Sequence, residues 1–124
     1  MIITKKIWGT TEALMRTPMF EMHRLCIKPL HRCSFHVHQF KHNAFYVLDG
    51  SLYIDWIEHE QTTPTRSSGC PLHEATLCKG DTIMIRPGVY HQFRTGELDC
   101  VALEMYYTEP LSEDIIRRNV GGPL

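Results

Sequence analysis

The sequence predicts an all-β fold of antiparallel strands, arranged as a sandwich or barrel. Three observations carry this. Short alternating or apolar runs recur along the 124 residues. Pro, Gly and Asp-Gly turns break them at antiparallel spacing. Helix-forming stretches are scarce. In order, "FEMHRLCIKP" (20–29) alternates and ends at a proline, and "CSFHVHQF" (33–40) reads as the next strand. "AFYVLDG" (44–50) is continuously apolar, as in a strand buried on both faces, and "SLYIDWIE" (51–58) follows at once. Asp49-Gly50 between them therefore predicts a hairpin turn. "DTIMIRPG" (81–88), "YHQF" (90–93) and "CVALEMYY" (100–107) complete the set. Residues 59–75, rich in Thr, Ser, Pro and Gly, read as a long surface loop, either a lid or partner contact or a tolerated excursion. Two helical pieces are expected: a short turn over 10–16 and a C-terminal helix over 112–119. Ser112 caps the latter, acids stand at its start and arginines at its end.

One domain over residues 1–124 fits this length. Lys and Arg number 13 against 14 Asp and Glu, which argues against nucleic acid or an anionic membrane as partner. No apolar run reaches a membrane span of about 20 residues, and the N-terminal residues lack a signal-peptide pattern. Five cysteines without a C-x-x-C pair read as free thiols in a reducing, cytoplasmic setting.

Eight histidines are present, and three crowd into "HVHQFKH" (36–42). Alternation puts His36 and His38 on one side of a strand, where two imidazoles can converge on one ion. Asn43, Phe45 and Val47 share a face of the next strand, and His42 points the other way. "GDTIMIRPGVYHQF" (80–93) then supplies His91 after a Pro-Gly turn, a third ligand from far along the chain.

Together these segments resemble the two motifs of the cupin family. His36, His38 and Gly50 match the first motif, and Gly80, Gly88 and His91 match the second, with 29 residues between the motifs. Leu30 stands where the first motif has Gly, Asn43 where it has Glu, and Arg86 where the second motif has Pro. The resemblance implies a double-stranded β-helix, or jelly-roll barrel, holding one divalent transition metal (Zn, Ni, Fe, Mn or Co). "KIWGTTEALM", residues 28–54, "KGDTIMIRPGVYHQF" and "PLSEDIIRRN" are similar, in order, to the cupin domain of type II mannose-6-phosphate isomerases. This implies a polar small-molecule ligand such as a sugar or sugar phosphate.

Asn43 alters the expected chemistry. Three neutral histidines and a glutamate leave a divalent ion at roughly +1, whereas an amide leaves it at roughly +2. The site becomes more electrophilic, weaker-binding and short of a base. Asn43 is either a fourth ligand or a hydrogen-bonding partner of the neighbouring loop. Isomerisation would then need Glu104, Lys41 or metal-activated water to move the proton. Glu104 matches a glutamate in the last strand of that isomerase family. Arg86 and Lys41 are candidate grips for an anionic end, or exposed charges. Phe45, Val47, Met84 and Phe93 are expected to line the barrel, with Phe45 and Phe93 walling the substrate pocket. The Cys70–His73 pair reads as accidental. Two other functions stay open: a three-histidine non-haem iron dioxygenase, and a non-catalytic ligand-binding module. Exposed edge strands and the apolar N-terminal "MII" suggest a homodimer.

Overall fold

The computed structural model describes residues 2–58, 72–109 and 114–124. Among these residues nine strands are present: β1 (Ile2–Lys6), β2 (Gly9–Arg16), β3 (Phe20–Ile27), β4 (His42–Asp49), β5 (Ser51–Ile57), β6 (His73–Cys78), β7 (Thr82–Ile85), β8 (Tyr90–Arg94) and β9 (Cys100–Tyr107). They form a six-stranded sheet, ordered β1-β2-β3-β9-β4-β7, and a three-stranded sheet, ordered β6-β5-β8. Every strand pairing is antiparallel. No helix among the described residues is long and apolar enough to cross a membrane.

Inward residues of both sheets build one core. Leu25 and Ile27 of β3, Phe45 and Val47 of β4, Leu52 and Ile54 of β5, and Phe93 of β8 are buried together. Phe45 and Phe93 meet edge to face at 6.0 Å between ring centroids, an arrangement that aromatic quadrupoles favour.

Several sequence expectations need correction. Residues 10–16 form β2 rather than a helical turn, because pairing with β1 and β3 on either side outweighs the weak helix propensity of Ala, Leu and Met. No helix appears at the C-terminus among the described residues; Ser112 and Glu113, its expected start, lie outside them. An eight-residue helix is marginal without a packing face, and here Ile115, Ile116 and Val120 are exposed. Most of the expected long loop (59–71, with Cys70) also lies outside the described residues, but its last part, from His73, belongs to β6. β4 is buried on one face only, since Tyr46 is 36% exposed. Met84 points outward at 45% exposure and does not line the barrel.

Asp49-Gly50 is a corner between sheets and not a hairpin turn, since β4 lies in one sheet and β5 in the other. Gly50 has φ 79°, and a Cβ on it would collide with the Asp99 carbonyl oxygen. Gly50→Ala should therefore cost about 2 kcal/mol or more. Urea unfolding would measure this, and a midpoint equal to wild type would contradict the tight corner. Leu30 is the single non-glycine residue with positive φ among those described, at 56°. Leu30 thus takes a left-handed conformation that glycine adopts most readily, at a local cost of about 1 kcal/mol.

Candidate metal centre

The segment before β4 was expected to be a regular strand. Instead it touches β8 through isolated bridges at Arg32–Arg94 and His36–His91. The Cys33 N–H donates to the Phe93 carbonyl at 3.1 Å, and the His36 and His91 backbones exchange bonds of 3.0 and 2.8 Å. Three steps on one side thus match two on the other, which is a β-bulge. Without it Phe35 would oppose His91; with it His36 does. Phe35 stacks instead on Tyr90, 6.0 Å away. The Gly88 N–H donates to the His38 carbonyl at 2.9 Å, so the Pro-Gly turn also anchors the second histidine.

His36, His38 and His91 come together as expected. Each offers one ring nitrogen, all within 4.8 Å of one another. Since two donors about 2.1 Å from one ion are no more than about 4.2 Å apart, binding would draw the rings slightly inward. Nδ1 of His36 lies 2.7 Å from the Ser34 carbonyl, and Nδ1 of His91 lies 2.9 Å from the Val89 carbonyl. A carbonyl only accepts, so both Nδ1 atoms donate and each Nε2 keeps its lone pair. This backbone orientation of imidazoles is typical of metal ligands. His38 Nε2 is buried with no hydrogen-bond partner. Burial lowers the pKa of His38, as do His36 and Lys41 nearby, and burial lowers that of His91 to about 4. Both rings are thus neutral at physiological pH, as ligation requires.

Asn43 is fully buried. Its Oδ1 lies 2.8 Å from His91 Nε2, and its Nδ2 donates to Glu104 Oε2 and to the Met105 carbonyl, both at 3.3 Å. A neutral His91 has one N–H but faces two acceptors, Val89 O and Asn43 Oδ1. Turning the amide over would give His91 Nε2 a donor but set the amide oxygen against the Met105 carbonyl oxygen, 3.3 Å away. A cation shared by Nε2 and Oδ1 removes this conflict, and 2.8 Å suits two neighbouring donors of one ion. The residues therefore fit a divalent metal.

Beside this cluster is a cavity of about 690 Å³. His36, Phe93, Glu104, Tyr106, Cys33 and His23 line its inner part. Alternation along β9 carries Ala102, Glu104 and Tyr106 inward. Glu104 is 6% exposed, and burial raises its carboxyl to about 7, against hydrogen bonds from Tyr106 and Asn43 and the charge of Lys6. Burial and the adjacent Glu104 raise the Tyr106 hydroxyl as well, so it stays protonated and donates to Glu104. Burial pushes the Cys33 thiol up to about 12, which makes it an inert wall.

Other expected site residues lie elsewhere. Lys41 pairs with Glu21 at 3.3 Å, and Arg86 sits 3.9 Å from Glu58 with its side chain 67% exposed. Neither lines the cavity. Phe45 is core, whereas Phe93 does form cavity wall. His42 turns away and stacks on Tyr107, 5.2 Å off. Sequence reading missed Tyr106 and His23. Both were accessible through alternation: Tyr106 is two residues beyond Glu104, and His23 pairs with Glu104 across β3 and β9.

No family model and no curated protein matches the chain. Solved structures do resemble it. KdgF from a Halomonas species matches with TM-score 0.68 at 13% identity, over 89% of this chain and 90% of that one. The Schizosaccharomyces pombe Cnp3 cupin domain matches at 0.69 and 10%, over 88% and 69%. Oxalate decarboxylase from Lactobacillus farciminis, solved as a formate complex, matches at 0.70 and 13%, over 90% of this chain but 31% of that one.

Proposed function

This chain has the cupin fold, and we propose that it is a metal-dependent protein that transforms a polar small molecule by proton transfer, as a sugar or sugar-phosphate isomerase does. The supporting observation is a cavity lined both by His36, one of three converging imidazoles, and by the buried Glu104 carboxyl, which burial raises to about 7. His36, His38 and His91 hold a divalent transition metal, with Asn43 Oδ1 beside His91. Such an ion supplies a Lewis acid that polarises a ligand oxygen. With the carbonyl so polarised, Glu104 would take a proton from the adjacent hydroxyl-bearing carbon and return it to the former carbonyl carbon, while the hydroxyl proton passes from one oxygen to the other. A carboxyl near pKa 7 suits both directions at neutral pH. Tyr106 keeps Glu104 aimed through its hydroxyl, and Asn43 ties Glu104 to His91, so base and metal are positioned by one side chain. The base that the sequence lacks at position 43 is thus supplied from β9.

A panel of aldoses, ketoses and their phosphates, assayed with each candidate metal, tests this. Interconversion of at least one pair, with solvent deuterium entering at the reacting carbon, is the expected result. Absence of exchange across the panel would overturn the isomerase reading. The all-nitrogen histidine set favours one other reading, non-haem iron oxygen chemistry. Iron in anaerobically purified protein, together with substrate-dependent oxygen uptake, would put that reading first.

A further inference from the structure

The outer wall of the cavity is the β1–β2 hairpin. Alternation along β1 turns Ile2, Thr4 and Lys6 to the cavity, and Thr11 and Ala13 do the same from β2. The pairing register slips between Ala13 and Met15, which changes the inward parity and brings Arg16 to the same wall. Arg32, on the segment leading to the histidines, completes the rim.

These cations differ in their pairing. Arg16 is held by Glu21 at 3.2 Å. Among the described residues no ion pair holds Lys6 or Arg32, although the charge of Lys6 also acts on Glu104 deeper in the cavity. Glu104 is the single carboxylate lining the cavity among the described residues, and it is buried deep within. The metal cluster adds no carboxylate of its own. The cavity therefore has a surplus of positive charge at its rim, and that charge attracts an anionic ligand. Between rim and floor stand Trp8 and Phe93, in edge-to-face contact at 4.9 Å, which offer an apolar wall to the body of a small molecule.

We propose that Lys6 and Arg32 form an oxyanion subsite that holds a phosphate or carboxylate at one end of the ligand while its other end reaches the histidines. This rests on the proposed function in placing the reacting end at the metal, but the subsite is built without the metal. An arginine fork fits two oxygens of either anion, and a lysine adds a mobile second charge. Thr4 and Ser34, on the same rim, provide hydroxyl donors. The ligand is thus an anionic, oxygen-rich small molecule and not a neutral sugar.

The test uses inorganic phosphate and malonate as probes, with calorimetric titration of the full chain both zinc-loaded and chelator-stripped. The variants are Lys6→Gln, Arg32→Gln and, as a control outside the cavity, Arg86→Gln. Wild type and Arg86→Gln should bind at least one probe in both metal states, more weakly as salt rises. Lys6→Gln and Arg32→Gln should each lose at least tenfold in affinity. Preference for phosphate or for malonate assigns the anion. Loss of metal binding with the stripped-state pattern intact would overturn the proposed function and leave the subsite standing. Absence of binding by stripped wild type, or equal binding by all three variants, would overturn the subsite.

Discussion

Glu104→Gln should slow turnover by a factor of about 10² to 10⁴, the usual contribution of a positioned general base. Substrate affinity should hold, since glutamine keeps the shape and still accepts from Asn43 and Tyr106. A second readout needs no substrate. Burial raises the Glu104 carboxyl from 4.5 to about 7. Between those values the unfolded chain has lost the proton and the folded protein has not. The raised carboxyl's contribution is fully present below about pH 4.5 and is lost as pH rises to about 7. For metal-free protein the decline is about 3 kcal/mol. Glutamine has no such titration, so the variant's stability should stay flat across this window apart from other groups. Denaturant unfolding at several pH values checks it. Wild-type turnover in the variant, or an undiminished decline, would contradict the role given to Glu104.

His91→Ala should lower metal affinity by more than about 100-fold, beyond the usual effect of an outer-shell partner. The two bonds between His91 and His36 run through backbone atoms, so alanine keeps the strand contact and removes the imidazole. Wild type should melt at a lower temperature after chelation, because a ligand at about 100 times its Kd stabilises by about 2.7 kcal/mol. The variant should melt identically with and without chelator. A chelator-sensitive His91→Ala would place the metal elsewhere.

The histidine cluster was legible in the sequence because its parts are local. His36 and His38 are two residues apart, and a Pro-Gly turn presents His91. What failed to show was everything set by strand order. Lys6, Arg32 and Tyr106 are far apart in sequence, yet they line one cavity; Glu104 was legible only through the family resemblance. Lys41 and Arg86 drew attention through closeness to the motifs, yet each found a surface carboxylate instead, Glu21 and Glu58. The bulge after Cys33 carries no obvious turn residue, so the regular strand expected there was the natural error. Leu30 shows the converse case. A glycine is absent there, yet the backbone is left-handed at Leu30, just before residues 31–36 run alongside β8.

Metal content is the most direct measurement of the central claim. Protein purified without chelator, and reconstituted in turn with Zn, Ni, Fe, Mn and Co, should contain about one transition-metal ion per chain by elemental analysis. The His36→Ala/His91→Ala variant, treated identically, should contain essentially none. Wild type that takes up none of the five metals, or a double variant that retains the wild-type amount, would contradict the three-histidine centre.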